Sequence, residues 1–132
     1  MPDILIVEDQ RVFLQVFRAV LPRDFTLHVA MDAATGWKHY LQHAPDIAFI
    51  DVQMEGIDGH TLAASIRALD GNAFTVMVTA NGDAATLARA RANEVRGFVT
   101  KPYSKKKIDA CIALFLAERD GIVAPGSRIN GA

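Results

Sequence analysis

The stretch "IAFIDVQMEG", residues 47–56, runs four apolar residues into a carboxylate, Asp51, and then turns polar and ends on a glycine. An uninterrupted apolar run this short reads as a strand buried on both faces, as in a parallel sheet. A charge at the end of such a strand is costly unless something pairs with it. The identity of that partner decides between a site and a satisfied loop.

Working outward, short β-rich runs alternate with helical patterns. "ILIV" at 4–7 predicts a first strand, and "RVFLQVFRAVL" a helix with Val12, Phe13, Val16, Phe17 and Val20 at helical spacing, closed by Pro22. "FTLHV" at 25–29 alternates, which suits a less buried strand. "AATGWKHYLQH" reads as helix, weakened by Gly36. "DIAFI" at 46–50 is the central strand, and "GHTLAASIRAL" a helix ended by Gly71 and Asn72. "FTVMVT" at 74–79 is strand, "DAATLARARAN" helix, with Asn93 expected as a left-handed cap. "GFVT" at 97–100 is a short strand. "SKKKIDACIALFLAER" is a last helix with Ile108, Cys111, Ile112 and Phe115 on one face. Five βα units predict an α/β fold, a doubly wound parallel sheet with helices on both faces. The expected division is a domain over 1–120 and a tail or linker over 121–132, "GIVAPGSRINGA".

Composition excludes several classes. The 132 residues suit one domain, at 51% hydrophobic and 22% charged. A net charge of -1 gives no global drive toward nucleic acid or membrane. One cysteine, Cys111, allows no intrachain disulfide and fits a reducing compartment. The start lacks a signal-peptide pattern, and no apolar run approaches a membrane span. The expectation is a cytoplasmic protein with no membrane insertion and no direct nucleic-acid contact. The four histidines, 28, 39, 43 and 60, show no metal-type spacing, and His39 with His43 reads as a helix-surface pair.

Sites in parallel sheets lie at the carboxyl ends of the strands. The first strand runs into Glu8 and Asp9, the third into Asp51, the fourth ends at Thr79, and the fifth runs into Lys101 and Pro102. Each has a plain reading alone: Asp9 as cap of the first helix, Asp51 as loop acid, Thr79 as β-former, Lys101-Pro102 as turn. Together they bring three acids, a hydroxyl and an amine to one edge. Three carboxylates there repel one another, and a hard divalent cation such as Mg²⁺ relieves this. With a phosphoryl donor, Asp51 becomes an in-line nucleophile, and Thr79 and Lys101 hold phosphoryl oxygens.

The motifs "VED" at 7–9, "FIDVQMEGIDG" at 49–59, "VTAN" at 78–81 and "GFVTKPYS" at 97–104 resemble the receiver domain of two-component response regulators, over residues 3–119. The resemblance implies a flavodoxin-like strand order 2-1-3-4-5. It implies that Asp51 is the phosphoacceptor, charged by a histidine kinase or phosphotransfer protein. It makes Glu8, Asp9, Asp51 and the backbone carbonyl of Gln53 the Mg²⁺ ligands, and Thr79 and Phe98 the switch. Gln53 and Asn81 become the positions that tune phosphate lifetime. A downstream protein or output domain would read the face built by the fourth helix, fifth strand and fifth helix. The chain would be a monomer or a phosphorylation-dependent dimer, and no enzyme beyond assisting its own phosphorylation and dephosphorylation.

The sequence departs from the family at two places. The family's Met-Pro after the phosphoacceptor is here Met54-Glu55. The last helix, with Ser104 as cap, opens on Lys105, Lys106 and Lys107, which oppose the helix dipole. They read as a solvated basic turn or as a docking site for an acidic partner, with Arg89, Arg91 and Arg96 adding charge. A single-domain regulator or phosphorelay shuttle is the leading reading, and a receiver cut from a larger regulator the alternative. An unphosphorylated pseudo-receiver is disfavoured by the complete acid and lysine set. A Mg²⁺-dependent aspartate-nucleophile phosphatase is disfavoured by Gln53, which stands where that class needs a general acid.

Overall fold

The computed structural model describes residues 2–54, 56–80, 82–124 and 126. Glu55, Asn81 and most of the predicted tail lie outside the described residues. The elements alternate strictly: β1 (Asp3–Val7), α1 (Arg11–Val20), β2 (Thr26–Ala30), α2 (Ala33–His43), β3 (Ile47–Asp51), α3 (Gly59–Leu69), β4 (Thr75–Thr79), α4 (Ala84–Ala92), β5 (Gly97–Thr100) and α5 (Lys105–Arg119). All strands are parallel, in the order β2-β1-β3-β4-β5.

Successive strand residues point to opposite faces, so each apolar run feeds two cores. Leu5, Val7, Ala48, Ile50, Met77 and Phe98 join Tyr40 of α2 and Leu62 and Ile66 of α3 on one face. Ile4, Ile6, Ile47, Phe49, Val76, Val78 and Val99 join Phe17 of α1 and Ile108 of α5 on the other. Burying one such side chain contributes about 1.5–3 kcal/mol. A charge is therefore excluded from these strands except at their ends. β2 covers an edge, and only its last residue, Ala30, is buried, which explains its alternating sequence.

Gly36, the weak point of the predicted second helix, sits in an unbroken α2. A Cβ there would lie 2.8 Å from Val7 Cγ2. The glycine lets the helix lie close on β1. Leu21 is extended because Pro22 follows it, so α1 stops at Val20.

Asn93 is not the left-handed residue expected. Its φ is -84°, and Glu94, at φ 53°, turns the chain instead. Two side-chain bonds fix this arrangement. Asn93 Nδ2 donates to His60 O at 3.1 Å, and Glu94 Oε2 accepts from Arg67 Nη2 at 2.6 Å. Both bonds tie the end of α4 to α3.

Candidate functional site

β1, β3, β4 and β5 all finish at the same edge of the sheet. Glu8, Asp51 and Thr79 are buried there, and Asp9 is half-buried. Asp51 pairs in register with Val78, which places Thr79 one residue further along the neighbouring strand. Carboxylate oxygens of Glu8, Asp9 and Asp51 lie within 4.8 Å of one another. Asp9 does not cap α1: the N-cap is Gln10, with no side-chain bond to the helix. Its carboxylate belongs to the acid cluster instead.

Lys101 supplies the countercharge. Its Nζ lies 2.6 Å from Glu8 Oε1 and 3.1 Å from Asp51 Oδ2, with 6% of the side chain exposed. It also sits 4.2 Å from the centre of the Phe13 ring. The remaining oxygens have donors. The backbone N–H of Gln53 donates to Asp51 Oδ1 at 3.1 Å, and that of Gln10 to Glu8 Oε2 at 3.2 Å. Tyr103 Oη donates to Glu8 Oε1 at 3.3 Å.

Burial raises the Glu8 carboxyl above its usual range. The hydrogen bond and charge of Asp51 add to this, and Lys101 opposes it. Burial, followed by the charges of Glu8 and Asp51, pushes the Tyr103 hydroxyl well upward, so it remains a donor. With all three acids ionised, one ammonium leaves two negative charges unbalanced. An all-oxygen set with that deficit fits a hard divalent cation. Glu8, Asp9 and Asp51 are the residues that could hold it. A cleft of about 630 Å³ opens onto Asp9, Gln53 and Met54, with Asp58 and Arg89 among its walls.

Tyr103 and Phe13 were missed in the sequence. Tyr103 follows Lys101 by two residues, but its bond reaches 95 residues back along the chain, and no local pattern reports that. Phe98 is buried in the same cluster as Met77, Ala90 and Val95. The three lysines of α5 have separate surroundings. Lys105 pairs with Asp109 at 2.6 Å, Lys107 donates to Thr100 O at 3.1 Å and Oγ1 at 3.0 Å, and Lys106 is exposed. Arg96 does not add to an exposed basic face. It is 5% exposed, ion-paired with Glu118, and lies over the Phe74 ring. Its position just before β5 turns it inward against α5.

Strand order and acidic edge together define the class: a flavodoxin-like α/β domain of two-component signalling. Residues 4–113 match the response regulator receiver domain, and the chain belongs to that family. It is 30% identical over 130 residues to the transcriptional regulatory protein CseB of Streptomyces coelicolor, covering 98% of this chain and 55% of that protein. It is 26% identical over 109 residues to the chemotaxis protein CheY of Halobacterium salinarum, covering 80% of this chain and 89% of that one. A CheY-like receiver domain from Methanospirillum hungatei matches with a TM-score of 0.85 at 18% identity, covering 93% of this chain and 99% of that structure. The chain thus spans about half the length of CseB and most of the length of CheY. Among the described residues, no helix is long and apolar enough to cross a membrane.

Proposed function

We propose that the chain is a phosphoacceptor that takes a phosphoryl group on Asp51 from a histidine kinase or histidine phosphotransfer protein. The observation that carries this reading is the buried Asp51 carboxylate held 3.1 Å from Lys101 Nζ, inside a carboxylate cluster suited to a divalent cation. A carboxylate oxygen of Asp51 attacks phosphorus. The new O–P bond forms as the bond to the donor breaks, and the electron pair leaves with the donor's nitrogen or oxygen. The N–H of Gln53 fixes the Asp51 carboxylate. Lys101 can turn from Asp51 to a phosphoryl oxygen, and the Thr79 hydroxyl donates to another. Glu8, Asp9, Asp51 and the Gln53 carbonyl would hold Mg²⁺, which would supply charge neutralisation for the transferred group.

The signal is a population shift. Pulling Thr79 and Lys101 toward the phosphoryl group bears on β5, where Phe98 is buried and Thr100 accepts from Lys107. The face formed by α4, β5 and α5 then changes for a downstream protein or an output domain. By resemblance to the family, positions 53 and 81 tune how long the phosphoryl group lasts, and both carry neutral amides in this sequence. The match over most of the length of CheY supports action as a single domain, and the match to about half of CseB supports the same face working within a longer regulator.

Incubation with Mg²⁺ and a small phosphoryl donor should add the mass of one phosphoryl group to the wild type and none to Asp51→Asn. An unmodified wild type, or a modified Asp51→Asn, would overturn the reading.

A further inference from the structure

Three histidines from two elements, His28 of β2 and His39 and His43 of α2, meet at the edge of the sheet remote from β5. His28 lies mid-way along β2, paired in register with Leu5 of β1. Registered neighbours on parallel strands share a face, so His28 points to the face that α2 covers. His39 and His43 stand one turn apart on α2 and project toward it. Donor nitrogens of His28, His39 and His43 lie within 4.8 Å of one another. The His28 and His43 rings stack at 4.0 Å and 15°. The helix-surface pair expected from the sequence is therefore two-thirds of a cluster, whose third member arrives from a strand.

The cluster is incompletely satisfied. His28 Nε2 and His39 Nδ1 are buried and have no hydrogen-bond partner. Asp3 Oδ2 lies 3.5 Å from the same nitrogen, His28 Nε2, too long for a strong bond. Imidazole nitrogens suit borderline cations such as Zn²⁺, Ni²⁺ and Cu²⁺ and are poor ligands for Mg²⁺.

We propose that His28, His39 and His43 form a binding site for a zinc-type divalent cation. The site is separate from the acidic edge, because His28 stands beside Leu5 and near Asp3 at the start of β1, whereas Glu8 and Asp9 follow that strand's end. Tetrahedral ligation at bonds of about 2.0 Å requires nitrogens roughly 3.3 Å apart, so donors within 4.8 Å of one another need to close by no more than about 1.5 Å. Stacked rings aim their lone pairs in parallel, so loading turns His28 or His43 about χ2, a torsion with broad wells. All three residues are half-buried, which leaves a fourth coordination position to water. The bound ion pins α2 to the edge strand.

Calorimetric titration of the whole chain with Zn²⁺, in excess Mg²⁺, tests this. One ion per chain should bind, and His28→Gln, His39→Gln and His43→Gln should each weaken binding roughly tenfold or more. Asp51→Asn should leave it unchanged. Co²⁺ should give visible absorption bands of a tetrahedral site in the wild type, lost in His43→Gln, whose position at the end of α2 spares the fold. Absent binding, binding indifferent to His43→Gln, or binding lost in Asp51→Asn would each overturn the proposal.

Discussion

Glu8 is a buried carboxylate shared by three donors. Lys101, Tyr103 and the N–H of Gln10 all address it, yet burial and the neighbouring Asp51 still favour its neutral form. A folded-state pKa raised above 4.5 means that the native protein binds more protons than the unfolded chain just above that pH. The associated stability is fully present below pH 4.5 and is lost as pH rises through the folded value. In metal-free buffer, the stability of the wild type relative to Glu8→Gln should therefore fall as pH rises from 4.5 toward neutrality. Urea midpoints of the two proteins across that range measure it, and a pH-independent difference would contradict the account. Tyr103, held protonated by the same surroundings, keeps donating throughout.

All the helices but α1 start by the same local rule. Asp32, Asp58 and Asp83 each accept from the N–H of the threonine three residues on, Thr35, Thr61 and Thr86. Ser104 accepts from the N–H of Lys107 in the same way. Such caps satisfy donors that a helix leaves open. The start of α3 has a further constraint. Gly59 N donates to Val52 O at 3.1 Å, and a Cβ on Gly59 would overlap the carbonyl oxygen of Asp51. The helix thus rests directly on the backbone of the proposed nucleophile. Gly59→Ala should destabilise the fold by about 1–3 kcal/mol, the range for overpacking. It should also slow phosphoryl transfer to Asp51 by displacing that carbonyl. Denaturant unfolding and the rate of phosphoryl incorporation check the two effects. Wild-type values for both would show that the close approach relaxes freely.

The whole molecule stores like charge at one end of an otherwise apolar sheet. Four strands deliver Glu8, Asp9, Asp51, Thr79 and Lys101 to one edge. A cation that binds this arrangement only in the folded state stabilises it by mass action, by about 2.7 kcal/mol at a hundred times its Kd. Mg²⁺ should raise the unfolding midpoint of the wild type and raise that of Asp9→Asn much less. Thermal unfolding with and without Mg²⁺ measures this, and equal shifts would remove Asp9 from the ligand set. At the opposite end of β5, the ion pair of buried Arg96 with half-buried Glu118 fastens the sheet to α5. The basic charge expected on the output face is correspondingly smaller than the sequence suggests.

The sequence by itself determined the alternation of strands and helices, because strands buried on both faces must be continuously apolar and helices repeat every 3.6 residues. It also determined that acids, a threonine and a lysine follow strand ends, which the parallel architecture gathers at one edge. Tertiary structure alone decided that Tyr103 serves Glu8, that Gly59 rests on Asp51, that Arg96 turns inward and that Glu94 takes the turn assigned to Asn93. It alone joined His28 to His39 and His43. Most of these depend on a distance between segments far apart in the chain, and the contact of Gly59 with Asp51 on the path of the loop between them. Local periodicity reports which face a residue occupies, but not which distant residue occupies the space facing it.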